Sequence, residues 1–110
     1  MKRISFGAIA LALGALVPAT VLSQDNGHAA MQAYKEANHR MMSHMDMSMS
    51  GDPDKDFVMM MIPHHQGAID MAKVELQYGK DPKLRAMAEA MVKAQEEEIA
   101  EMKAWQQSHP

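Results

Sequence analysis

The stretch from Pro82 to Gln107 restricts the fold most, because it contains no glycine and no proline after its first residue. Asp81 before it is a favourable helix start, since an aspartate N-cap precedes proline in the first turn. Apolar residues recur at the spacing of one helix face, namely Leu84, Ala88, Met91, Ile99 and Met102, with Met87 and Trp105 on one flank. The sequence therefore predicts a long third helix.

Two further helices are predicted before it. Helix 1 spans 29–44, and its apolar face is formed by Met31, Tyr34, Asn38, Met41, Met42 and Met45. A loop follows, because alternate methionines run into Ser50, Gly51 and Pro53. Helix 2 spans 54–78, with Asp54 or Asp56 as its N-cap.

Pro63 lies inside helix 2 and is expected to kink it before His64. In a second interpretation, Pro63 opens a new helix. The short connection after helix 2 predicts an antiparallel hairpin with helix 3, and no segment alternates with the period of a strand. We expect one all-α domain, an up-down bundle of three helices, with helix 1 and a Met/His-rich loop in 24–53 and the hairpin in 54–110. Dimerisation is one way to supply a fourth helix.

The N-terminus has the layout of a secretory signal peptide over 1–23. Lys2 and Arg3 precede an uncharged apolar run, and small residues lead to Ser23 before Gln24. We expect cleavage after Ser23 and a periplasmic or secreted location. The alternative is an uncleaved membrane anchor, since the run is near the lower length limit for a span.

The composition of the remaining 24–110 segment is unusual in its methionines. It contains 13 of them, against 8 leucine, isoleucine and valine residues together, and no cysteine. Methionine fills cores, but this excess indicates that some of the sulfur has a chemical role. Nine basic and 14 acidic residues give this segment a net charge of −5, which argues against a nucleic-acid partner.

Methionine and histidine cluster in two places. The first is the end of helix 1 and the loop, where the candidate metal ligands are His39, Met41, Met42, His44, Met45, Met47 and Met49. Met45, Met47 and Met49 alternate, so an extended chain presents their thioethers on one side. The competing interpretation is a solvated loop.

The second cluster lies on helices 2 and 3. His64 and His65 follow Pro63, with Met61 and Met71 nearby, and neutral imidazole is the commonest metal ligand. On helix 3, Gln95 and Glu98 fall inside the apolar stripe, and Glu98 lies four residues before Met102. A buried carboxylate without a partner is costly, so these candidates are either metal ligands or hydrogen-bonded core residues; His65 alone favours the latter.

Ligand softness selects the metal. Thioethers favour Cu(I), and imidazole also serves Cu(II). Zinc sites usually use cysteine, histidine and carboxylate, while calcium and magnesium need clustered oxygen atoms. The ligands therefore predict a copper ion, with silver as a mimic.

The segment Met61 to Ala72, MIPHHQGAIDMA, resembles the domain-of-unknown-function 305 family. The resemblance extends over Gly79 to Pro82 (GKDP), Ala94 to Met102 (AQEEEIAEM) and Trp105. It implies a ferritin-like helical bundle, and some members are CopM-type copper-binding proteins. It also implies candidate ligands at His64, His65, Met61, Met71, Gln95, Glu98 and Met102.

We expect an exported copper-binding protein that serves copper sequestration, tolerance or handover to a copper-handling partner, and not an enzyme. A di-iron enzyme needs two Glu-x-x-His motifs, and the chain has one, Glu36 to His39. Two alternatives stay open. One is a metal-independent interaction module with a methionine-rich apolar face for a partner helix or a second copy; the other, weaker, is a redox enzyme.

Overall fold

The computed structural model describes residues 19–45 and 47–110, with side-chain environments from Asp25 onward. Three helices account for nearly all of this part of the chain: α1 (Ala19–Met45), α2 (Pro53–Tyr78) and α3 (Pro82–Ser108). No strand occurs in the described ranges. The prediction of an all-α unit of three helices is confirmed.

The first helix begins ten residues before its predicted start. The polar lead at 24–27 is helical because no proline interrupts it, and the single glycine there, Gly27, costs a helix only about 1 kcal/mol. The predicted cleavage position after Ser23 falls inside α1, and residues 1–18 of the predicted signal lie outside the described residues. None of the helices seen in the described ranges has the length and apolar character needed to cross a bilayer.

The second helix starts with Asp52, so the predicted caps Asp54 and Asp56 are wrong. The Asp52 carboxylate accepts hydrogen bonds from the backbone N–H groups of Asp54 (3.0 Å) and Lys55 (3.3 Å). Pro53 fixes this choice, because proline favours the first helical turn and the cap is the residue before it. α2 continues as one helix through Pro63, so the interpretation of a separate helix starting there is also wrong.

The predicted hairpin between α2 and α3 is confirmed. Gly79 ends α2 and Asp81 caps α3, accepting from the backbone N–H of Leu84 at 2.9 Å. Arg85 reaches back and donates to the carbonyl groups of Leu76 (2.7 Å) and Gly79 (3.1 Å). A cation at a helix C-terminus is favourable because it meets unpaired carbonyl groups.

The helices form a single layer with α2 in the middle. α2 packs against both neighbours, whereas no Cα atom of α1 comes within 8 Å of one in α3 along the described chain. The buried residues are few and mostly small: Ala37, Val58, Ile69, Ala72, Val74, Ala88 and Ile99. No methionine of the described residues is fully buried, although several, including Met41, Met59 and Met71, are half-buried between the helices.

The two neighbours lie on opposite sides of α2. His65 meets Glu98 of α3, and Val58 and Ile69 are buried on that same side. Gly67 meets Met41 of α1, and a rotation of 100° per residue places Gly67 about half a turn of the helix away from Val58. The layer therefore has two broad faces, one on each side of the plane through the three axes.

One of these faces, called here the open face, carries the exposed large apolar side chains of the helices: Met31, Tyr34 and Met42 of α1, Phe57 of α2, and Leu84, Met87 and Met91 of α3. Tyr34 marks it on α1, since its hydroxyl lies 3.5 Å from Glu75 of α2. Helical rotation places the other six on that side of their helices. The predicted stripes of helices 1 and 3 are thus only half covered, because each outer helix has a single neighbour.

Candidate metal centre

The opposite face contains a groove of about 470 Å³. Its floor is α2, its walls are α1 and α3, and the loop after α1 closes one side. The lining residues are Arg40, Met41, His44, Met47, Met59, Ile62, Pro63, Gln66, Gly67, Asp70, Ile99, Lys103 and Gln106. We call this space the groove; it brings together side chains from all three helices and from the loop.

Four soft or borderline metal ligands share the groove: the thioethers of Met41, Met47 and Met59 and the imidazole of His44. Met41 lies directly on the backbone of Gly67. A Cβ atom at Gly67 would stand 2.5 Å from the Met41 sulfur and 2.9 Å from its Cβ, closer than packed atoms approach. Glycine at this position therefore lets α1 come close enough to place Met41 at the groove.

The histidine in the groove has a defined tautomer. His44 Nδ1 lies 2.7 Å from the carbonyl oxygen of Arg40, and a carbonyl oxygen only accepts, so Nδ1 carries the proton. In the neutral ring Nε2 is then the nitrogen with the free lone pair. Metal-ligating histidines commonly have this arrangement, in which the second nitrogen is held by a backbone carbonyl.

Asp56 fixes the loop that carries Met47. Its carboxylate accepts hydrogen bonds from the backbone N–H and hydroxyl of Ser50 (2.8 and 2.7 Å) and from the Gly51 N–H (3.1 Å). The bonds from Ser50, followed by the bond from Gly51, lower the pKa of Asp56 below its ordinary value. Gly51 has a φ of 86°, a conformation open to glycine and costly for most other residues.

Ion pairs join the groove wall to its floor. Arg40 Nε lies 3.5 Å from Asp70 of α2, and Arg40 Nη1 lies 3.2 Å from Glu36 one turn earlier on α1. Gln66 donates to the other Asp70 oxygen at 3.1 Å. The pairs are partly exposed and each contributes little to stability. The role of the Arg40–Asp70 pair is geometric, since it holds α1 in register beside α2.

The α2–α3 interface contains another part of the predicted ligand set. His65 Nε2 donates to Glu98, whose side chain is 55 % exposed. The expectation that Glu98 is buried inside an apolar stripe is therefore wrong, because the open face leaves that side of α3 uncovered. The second His65 nitrogen, Nδ1, is buried without a hydrogen-bond partner. With one nitrogen bound to Glu98 and the other enclosed, His65 serves as a link between helices.

The remaining candidates are spread over other surfaces. Gln95 and Met102 are half-buried on α3, and Met102 borders a shallow cleft with Phe57 and Trp105. Helical rotation places His64, Met61 and Met71 on the open side of α2. Met42 is exposed on the open face and Met45 is half-buried, while His39 and Met49 are exposed away from the groove. The structure thus assembles only Met41, His44 and Met47 of the predicted ligands in the groove.

Met59 lines the groove and was not among the ligands predicted from the sequence. It lies on α2 in line with Pro63, Gln66 and Asp70, at offsets of 4, 7 and 11 residues. That row of side chains was a usable signal. Met59 begins a run of three methionines, and Met61 was chosen from this run because it is the one nearest the histidine pair.

Within 19–45 and 47–110, no three histidine, aspartate or glutamate side chains converge on one point. The fold and the groove together describe a small helical layer with a pocket lined by thioethers and one imidazole. The chain belongs to the family described as Domain of unknown function (DUF305), whose model matches residues 12–106. No curated protein matches it.

Proposed function

We propose that this protein binds Cu(I) in the groove, through the thioethers of Met41, Met47 and Met59 and Nε2 of His44. The observation that carries the proposal is that these four side chains line one space. Thioether sulfur is a soft ligand and selects Cu(I), and imidazole also binds it. The hydrogen bond from His44 Nδ1 to the Arg40 carbonyl supports the proposal, because in the neutral ring Nε2 is then the nitrogen with the free lone pair.

The arrangement favours capture followed by release. Met41 and Met59 belong to helices, while Met47 comes from the loop and is 38 % exposed. A site with one loop ligand exchanges its metal more readily than one built only on helices, since the loop moves without unfolding the layer. We therefore propose binding for sequestration or handover to another copper-handling protein, without catalysis.

Export is the second part of the proposal. The layout of residues 1–23 as a signal peptide and the resemblance to CopM-type proteins support a periplasmic or secreted copper-binding protein. In an oxidising compartment Cu(II) is a second form of the metal, and His44 is the groove ligand that accepts both oxidation states.

The test is a Cu(I) titration of the soluble product of the full-length chain, with its N-terminus established by mass spectrometry and a competing chelator present. We expect a dissociation constant below about 1 µM. Replacing the groove methionines in one variant (Met41→Leu, Met47→Leu, Met59→Leu) preserves side-chain volume and removes only sulfur. We expect this variant to lose about tenfold or more in affinity, equal to about 1.4 kcal/mol.

The matched control carries the same exchange at three open-face positions: Met31→Leu, Met87→Leu and Met91→Leu. It removes as much sulfur from a region without an assembled site, so its affinity stays at the wild-type value. Micromolar or weaker binding by the wild type contradicts the proposal, as does equal loss in the two variants.

A further inference from the structure

The open face carries seven large apolar side chains that are exposed to water. Its seven side chains are exposed by 38–58 %. Taking about 200 Å² for each residue, a size typical of aromatic side chains, the exposed area is on the order of 700 Å². The largest apolar patch on a typical monomer is about 300–600 Å², and a stable interface buries about 800 Å² on each partner.

The charges at the two ends of this face are complementary to each other. Asp54 and Glu101 border the cleft at the Phe57 end, and Lys80 and Lys83 are exposed at the opposite end, where α2 turns into α3. A second copy turned end for end brings each acidic end to a basic end. Opposite charges brought together in this way favour one orientation of the partner.

The middle of the face is compatible with a second copy because, among the described residues, it lacks an uncompensated carboxylate. A two-fold axis brings identical groups together, so uncompensated like charges there oppose association. The carboxylate nearest the middle, that of Glu98, is engaged within the chain with His65.

We propose that the protein forms a homodimer through the open face, with the two α2 helices antiparallel across a two-fold axis. The Leu84 and Met87 end of one copy then lies over the Phe57 end of the other. The midpoint of α2 falls between His65 and Gln66, so His64, the nearest exposed residue on the open side, approaches its own counterpart. Apolar burial drives this association, which does not depend on copper.

Cross-linking tests the geometry, since the chain has no cysteine of its own. His64→Cys places a thiol near the two-fold axis, and mild oxidation of the soluble product of the full-length chain is expected to give a covalent dimer. The control Gln66→Cys places an exposed thiol on the groove side of the same helix, where we expect monomer. Covalent dimer from Gln66→Cys alone, or from neither variant, overturns the proposed arrangement.

Sedimentation equilibrium tests the association itself. We expect the wild type to sediment as a dimer with and without a copper chelator. Leu84→Lys with Met91→Lys raises the dimer dissociation constant by about tenfold or more, whereas Gln66→Lys with Gln106→Lys on the groove face leaves it unchanged. Circular dichroism verifies that both variants keep their helices. A monomeric wild type, or a dimer that dissociates when chelator is added, overturns the proposal. Neither result bears on Cu(I) binding in the groove, which the titration tests separately.

Discussion

The two faces of the helical layer use methionine in different surroundings. On the groove face, Met41, Met47 and Met59 line one space together with an imidazole. On the open face, Met31, Met87 and Met91 are about half exposed and accompany tyrosine, leucine and phenylalanine. The abundance of methionine therefore does not define a metal site by itself. Methionines on the groove face are candidate ligands, whereas those exposed on the open face form part of an apolar surface.

The difference arises from the connections between the helices. The loop from α1 to α2 contributes Met47 to the groove and is held to the start of α2 by Asp56. The turn from α2 to α3 is short and lies at one end of the layer, so it covers neither face. One face thus has the loop beside its groove, and the other keeps its apolar residues uncovered.

The largest expected effect is at the contact between α1 and the groove floor. Gly67→Val places a branched side chain where Met41 lies 2.5–2.9 Å from any Cβ atom, and overpacking of this kind costs about 1–3 kcal/mol. Urea denaturation measures the free energy of unfolding, and we expect Cu(I) affinity to fall as well because Met41 is displaced.

The matched glycine for this comparison is Gly27, which also lies inside a helix but has no atom near its Cβ position. Gly27→Ala is expected to raise the free energy of unfolding by about 0.5–1 kcal/mol, the usual difference in helix propensity. If Gly67→Val does not lower the free energy of unfolding, Met41 of α1 does not lie against the backbone of Gly67 in α2.

A smaller effect is expected at the loop anchor. Asp56→Asn removes the charge that holds Ser50 and Gly51, so Met47 is less well placed and Cu(I) affinity falls by about tenfold at most, as for residues that orient metal ligands. The open-face dimer is expected to remain unchanged, which distinguishes the two faces. An unchanged Cu(I) affinity means that the loop does not contribute a ligand to the groove.

Acid provides an independent test of the same anchor in the wild type. Because the folded protein lowers the Asp56 pKa, the carboxylate stabilises the loop fully above the ordinary aspartate pKa of about 3.9. This contribution is lost as the pH falls through the lower pKa of the folded state. The protection of the Ser50 amide, taken relative to its intrinsic exchange rate at each pH, is expected to fall over that range; uniform protection down to the lowest pH contradicts the role of Asp56.

Much of the fold was predictable because its signals are local. The third helix, its Asp81 cap and the short turn before it follow from capping and proline rules that act within a few residues. The same rules apply to Asp52 and Pro53 at the observed start of α2, which the prediction of Asp54 or Asp56 as the cap missed. The earlier start of α1 was missed because the polar, glycine-containing segment 24–27 was interpreted as a lead before the helix.

The site was less predictable because it depends on which helices are neighbours. The apolar stripes of α1 and α3 include both packed residues and open-face residues, and hydrophobicity does not distinguish them. The short spacing in Met61, His64 and His65 suggested a single ligand cluster, yet His65 faces α3 while the other two lie on the open side. Met59 lines the groove because it lies in the same row of α2 as Pro63, Gln66 and Asp70. This row identifies a groove only when α1 is known to pack beside Gly67.

The most direct test of the central claim is nuclear magnetic resonance of the methionine methyl groups during titration with Ag(I), a redox-stable mimic of Cu(I). If the groove is the metal site, the methyl signals of Met41, Met47 and Met59 shift together and saturate at one metal ion, while those of Met31, Met87 and Met91 do not move. Shifts that begin at the open-face methionines, or that spread evenly over all of them, contradict the assignment of the two faces.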